Sequence, residues 1–162
     1  MSVNKVVINA SPLIVLFKSQ QAFLLPLLFP EILVPEAVWE EVTGSNQSDK
    51  AAQQLPQATW AKRVTTVTVN PQIAAWDLGA GESEVLSLAL EHPGYYALVD
   101  DRAARRCGRT FGIPTLGTGA TLILAKQQGL ITSVTEAIQA VRDAGLWLSD
   151  DLVQLLKQQA GE

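Results

Sequence analysis

The stretch "VVINASPLIVLF", residues 6–17, constrains the fold more than any other part of the chain. Val and Ile suit a buried strand, yet Asn9 and Ser11 cut the apolar run. Asn-Ala-Ser-Pro is a helix-start signal: Ser11 is a good N-cap, and Pro12 suits the first helical position. Residues 6–8 therefore read as a strand and 12–18 as a helix. Asn9 then stands where the strand stops, which in a parallel sheet is where ligands bind.

The same alternation continues along the chain. "QQAFLLPLLF" reads as a short helical segment, and "EILV" (31–34) as a strand ending at Pro35. "PEAVWEEV" (35–42) begins with Pro and carries acids in its first turns, as helix starts do. "GSNQSD" (44–49) reads as a loop, followed by a polar helix to about Leu55, and 44–60 is the stretch expected to be flexible. "TTVTV" (65–69) alternates as a half-exposed or edge strand does. "GAGESEVLSLALE" (79–91) opens on glycines and becomes a helix. "YYALV" (95–99) and "IPTLG" (113–117) are strands, each followed by a helix, over 100–112 and 118–129. Helices over 133–143 and 150–159 close the chain. Strands alternating with helices predict a parallel sheet covered on both faces. No repeat, low-complexity segment or domain boundary interrupts 1–162, so it reads as one domain, with a core over 3–130 and a helical extension over 131–162.

A chain of 162 residues with 48% hydrophobic and 17% charged residues is long and apolar enough to bury a core. Cys107 is the only cysteine, which excludes a disulfide framework and a thiolate-rich metal site. Apolar stretches such as 23–29 fall short of the roughly 20 residues that span a bilayer. Polar breaks at Asn9 and Ser11, with no small-residue cleavage site after them, argue against a signal peptide. A cytoplasmic protein with no membrane partner is the expectation. The net charge of −4 argues against a chain coated in positive potential and leaves room for a local basic patch.

Helical geometry sorts the carboxylates. In the 81–91 helix, Glu82, Val85, Leu86 and Ala89 form one stripe, so Glu82 heads the apolar face, while Glu84 lies on a line consistent with solvent. In the preceding acidic helix, Glu41 lies within about 60° of Val38 and Glu40 points away. Asp100 and Asp101 end a buried strand at the same sheet edge as Asn9. Taken singly, such acids are favoured by helix dipoles. Converging together they repel unless a cation neutralises them, and oxygen-only ligands suit Mg²⁺ or Mn²⁺. His92 reads as a surface loop residue and Cys107 as core, so zinc and His-dependent catalysis lack support.

"DRAARRCGRTF" supplies the second signal. Arg102, Arg105, Arg106 and Arg109 share one helical face, opposite Ala104, Cys107, Gly108 and Phe111. One reading is a solvated face salt-bridged to nearby acids. The other is a strip for phosphate, since arginine without lysine favours bidentate contact, and a phosphodiester passing a metal site needs such a strip.

The pieces "VVINASPLI", "VPEAVWEEV", "GAGESEVLSLALE", "ALVDDRAAR" and "GTGATLILAKQQGLI", in this order over about 3–130, resemble the PIN-domain family, and within it a branch similar to VapC-type toxins. The resemblance implies a three-layer α/β/α sandwich with a central parallel sheet and an acidic cluster holding Mg²⁺ or Mn²⁺. The implied activity is metal-dependent endoribonuclease, hydrolysing RNA phosphodiesters. Carried over by position, Glu41, Glu82 and Asp100 or Asp101 match the later acids as catalytic and metal-binding residues, and Ser11 matches a hydroxyl residue beside the first acid. That first acid is usually Asp and here is Asn9, which keeps one carbonyl ligand, loses a charge and cannot act as a base. With one Asp, the site carries three negative charges rather than four. Two readings follow: Asn9 ligates a metal in a differently tuned nuclease, or the site is degenerate and the fold binds RNA or a partner protein. The resemblance also implies a small antitoxin partner and a homodimer; the apolar tail over 147–156 reads either as an interface for that dimer or, equally, as a cover for the chain's own core. A flavodoxin-like small-molecule enzyme comes last, because no glycine-rich phosphate loop is present.

Overall fold

A computed structural model describes residues 3–44 and 49–162. Five strands form one parallel sheet in the order β3-β2-β1-β4-β5, with β1 at Lys5–Ile8, β2 at Glu31–Pro35, β3 at Ala61–Val64, β4 at Tyr96–Leu98 and β5 at Thr115–Leu116. Val6, Val7 and Ile8 are consecutive and all inaccessible to solvent. Successive side chains leave a strand on opposite sides, so both faces of the sheet are covered. The architecture is the α/β/α arrangement expected for a PIN-like chain.

Among the described residues ten helices surround the sheet: α1 Ala10–Lys18, α2 Leu24–Leu28, α3 Glu36–Gly44, α4 Lys50–Gln54, α5 Pro71–Ala74, α6 Ala80–Glu91, α7 Arg102–Thr110, α8 Thr118–Gln127, α9 Val134–Asp143 and α10 Asp150–Gln159. Helix α6 lies against β1, β2 and β4 and packs on α3 and α7. Helix α8 meets α2, α9 and α10, and α9 also packs on α1, so the C-terminal helices join the main core through α8 and α1. Among the described residues no helix is long and apolar enough to cross a membrane.

Two local expectations need correction. Helix α1 begins at Ala10, not Pro12, and its N-cap is Asn9, not Ser11. Pro12 is the third helical residue, still within the first turn, whose N–H groups have no intrahelical acceptor, so the missing donor costs nothing there. "TTVTV" is not a strand: β3 is the "AKRV" before it, paired with Ile32 to Pro35 of β2. Beyond Pro35 the partner chain has already turned into α3, so residues 65–69 have no strand to pair with. Residues 45–48 of the expected flexible loop lie outside the described residues. Gly44 belongs to α3, and the rest of the 44–60 stretch holds α4 and a 3-10 turn at Leu55–Gln57.

Candidate active site

From β1 the chain steps one way to β2 and β3 and the other way to β4 and β5. Order therefore reverses between β1 and β4, and the crevice beyond their carboxyl ends is where such sheets bind ligands. Asn9 follows β1 there, its N–H donating to the Leu98 carbonyl at 3.1 Å. As the N-cap of α1, with φ −85° and ψ 167°, it has the residue type and backbone for a capping bond, yet its side chain makes none. The residue is 3% exposed, and Oδ1 has no hydrogen-bond partner among the described residues. An unsatisfied buried acceptor costs about 1–3 kcal/mol. The amide is held away from the backbone it could cap, at the switch point of the sheet.

The next oxygens come from α3 and α6. A methyl group on Gly81 would stand 3.1 Å from Asn9 Oδ1 and 3.4 Å from Glu41 Oε1, so both oxygens face the space this glycine leaves open. Glu82, the third residue of α6, folds back over its own helix start: a methyl on Gly79 would meet Glu82 Oε2 at 2.5 Å. The positive end of the helix dipole favours a carboxylate there. Burial, and second the nearby Glu82 charge, push the Glu41 carboxyl above the ordinary value, although Glu41 keeps substantial exposure. Two like charges thus share one neighbourhood.

Asp100 stands beyond β4. Its Oδ1 accepts from the Thr118 N–H at 2.8 Å and its Oδ2 from the Thr118 hydroxyl at 2.6 Å, so it caps the start of α8. Burial pushes its carboxyl up, against the lowering effect of those two bonds and of Arg105. Asp101 differs: it is exposed and caps α7, accepting from Ala104 N–H at 2.9 Å. Glu84, assigned to solvent by helical phase, instead accepts from Ala37 N–H at 3.0 Å and holds the start of α3 against α6.

Asn9, Glu41 and Glu82 therefore come together, Asp100 is fastened to Thr118, and Asp101 turns outward. Among the described residues no three His, Cys, Asp or Glu side chains form a metal-ligand group, so the expected four-acid convergence is not present in this arrangement. The oxygen donors nonetheless fit a hard cation in kind. Mg²⁺ keeps several waters and needs only one or two carboxylates, and Asn9 Oδ1 is a buried acceptor with unused lone pairs.

Ser11 is exposed and is the second residue of α1, whose N-cap is Asn9. Arg102, Arg105, Arg106 and Arg109 are all exposed on α7, and among the described residues none of them forms an ion pair. The Arg105 charge nonetheless acts on Asp100, whose carboxyl is raised by burial and lowered by this charge. Arg105 leans toward the site: a methyl on Gly117 would meet Arg105 Nη1 at 3.2 Å and Asp100 Oδ1 at 3.3 Å. His92 is exposed and Cys107 buried, as expected. Sequence reasoning missed Gly81 and Thr118. The glycines of "GAGE" read only as a helix opening, and the hydroxyl of "GTG" drew no attention.

A doubly wound parallel sheet with an amide and carboxylates at its switch point defines a class of α/β proteins whose chemistry sits at that edge. Within that class the chain belongs to the PIN-domain family: a family model, DUF3368, described as a PIN domain, matches residues 5–162. The match includes the C-terminal helices. No curated protein matches the chain. The PIN domain is a nuclease-type fold.

Proposed function

We propose that this chain is a divalent-metal-dependent endoribonuclease of the VapC toxin type, acting in the cytoplasm on RNA phosphodiesters. The observation that carries the reading is the buried Asn9 Oδ1, without a hydrogen-bond partner among the described residues, facing Glu41 Oε1 across Gly81 at the switch point of the sheet. Asn9 and Glu41 would hold Mg²⁺ or Mn²⁺, with Glu82 and Asp100 adding negative charge. When bound, such an ion activates water and stabilises charge on a transferring phosphoryl group. The protein's own groups do the rest. Thr118 fixes Asp100, and the arginines of α7 grip the backbone leading away from the site. Ser11 and Asp101, exposed at the same edge, stand as secondary contacts to RNA or ion. A small antitoxin and a second copy of the chain are the partners this reading implies.

A second reading, a degenerate PIN module that binds RNA or a protein without cleaving, is favoured by one specific observation: Asp100 is already committed to Thr118. Cleavage of single-stranded RNA in Mn²⁺, with and without chelator, tests the choice. The nuclease reading expects chelator-sensitive cutting that Glu82→Ala and Glu41→Gln each abolish. RNA binding without metal-dependent cutting, unchanged by either substitution, establishes the second.

A further inference from the structure

A second polar cleft lies where α1 ends and α4 begins, with a volume of about 470 Å³, within the roughly 300–1,000 Å³ usual for small-molecule sites. One wall is the half-buried Trp60 ring, backed by Phe17 at 6.0 Å between centroids with 20° between planes. Phe23, 55% exposed, stands on the rim. The amides of Gln20, Gln54 and Gln57 supply donors and acceptors, and Lys50 is the one charged residue among the described residues lining it.

Gln20 shows that this arrangement carries a cost. Helix α1 ends with Gln20 N–H donating to Phe17 O and Gln21 N–H to Leu16 O, which places Gln20 at φ +61°. Glycine is the usual residue there. Four other helices of this chain obey the rule, with Gly112 at +71° after α7, Gly129 at +76° after α8, Gly145 at +111° after α9 and Gly161 at +78° after α10. Among the described residues two non-glycine residues take a positive φ, Gln20 and, beyond α5, Asp77 at +56°, and of these Gln20 lines the cleft.

We propose that this cleft binds a nucleotide, the base against the aromatic wall, its polar edge on the glutamine amides and its phosphate at Lys50. A flat, hydrogen-bonding group matches aromatic faces and amides together. Among the described residues lining the cleft Lys50 is the one cation and there is no acid, which selects an anionic appendage over a neutral one. A free mononucleotide and a base within an RNA strand share this chemistry.

Tryptophan fluorescence and calorimetry, in EDTA so that cleavage plays no part, test this with AMP, GMP, CMP, UMP, adenosine and a short RNA. Saturable binding of at least one mononucleotide below about 1 mM is expected. Lys50→Ala should weaken AMP severalfold and leave adenosine unchanged. Gln20→Gly is the decisive variant: it relieves the strained backbone, so Tm should rise while affinity falls. Binding of the short RNA alone, with the same response to these variants, places the base in a strand. Absence of saturation by every probe up to roughly 10 mM, or affinity equal to wild type in Gln20→Gly and Lys50→Ala, overturns the proposal. No outcome depends on whether the switch-point site cuts RNA.

Discussion

Gly81→Ala separates the site from the fold with a single methyl group. The substituent would stand 3.1 Å from Asn9 Oδ1, 3.4 Å from Glu41 Oε1 and 3.4 Å from Val38 Cγ2. Carbon–oxygen contacts settle near roughly 3.3–3.6 Å, so the amide must retreat by a few tenths of an ångström. Against that strain, Ala gains up to about 1 kcal/mol over Gly within a helix. The two effects are similar in size, so thermal stability should change by less than about 1 kcal/mol. The methyl fills the space that both oxygens face, and displacing one ligand oxygen is expected to weaken Mn²⁺ at least tenfold, about 1.4 kcal/mol. Calorimetric Mn²⁺ titration and RNA cleavage, beside a melting curve, measure all three quantities. A Gly81→Ala protein that binds and cuts as wild type does refutes the assignment of this space to the cation.

Burial and Glu82 hold the Glu41 carboxyl above its ordinary value of 4.5. Its ionisation therefore opposes folding as pH rises through the raised value, and no penalty exists well below 4.5. Glu41→Gln should raise Tm at pH 7, lose that advantage in acid and abolish metal binding. Glu162 shows the opposite sign. Its carboxylate accepts from Lys126 Nζ at 2.7 Å, Val134 N–H at 2.7 Å and Thr135 N–H at 2.9 Å, with Lys126 first among the causes holding it well below the usual range. That contribution is present above 4.5 and lost as pH falls toward the lowered value, so Glu162→Gln should lower Tm at pH 7 and converge with wild type in strong acid. Replacing Arg106 and Arg109 by Ala should leave Tm unchanged and reduce the salt dependence of RNA binding by about 0.7 in log–log slope for each phosphate no longer neutralised. A methyl on Gly108 would meet the stiff Thr115 side chain at 2.8 Å, so Gly108→Ala should cost about 1–3 kcal/mol by urea denaturation, relieved by Thr115→Ala.

The alternation of strand and helix was legible because burial on both faces demands continuous apolar runs, as in Val6 to Ile8. Where reading failed, a tertiary partner overrode a local signal. Asn9 and Ser11 both suit a cap, and only the position of Leu98, which receives the Asn9 N–H, fixes where the strand stops. "TTVTV" has the propensity of a strand but no neighbour, because β2 ends at Pro35. Helical phase correctly brought Glu41 and Glu82 toward one another, since phase is local. It could not separate Asp100 from Asp101, adjacent at a strand end, because their fates depend on Thr118 and Ala104. Nor could it find the Glu84 cap on α3, made across 47 residues of chain. The arginine strip was legible in full as a helical face.

Asn9 is the proposed ligand where the PIN-domain family usually has Asp. Mn²⁺ calorimetry on the wild type and Asn9→Asp in parallel, with single-stranded RNA cleavage followed in the same samples, tests it most directly. Wild type should bind and cut, and Asn9→Asp should bind more tightly through the added charge. If Asn9→Asp alone binds Mn²⁺, the natural site is degenerate and the nuclease assignment is wrong.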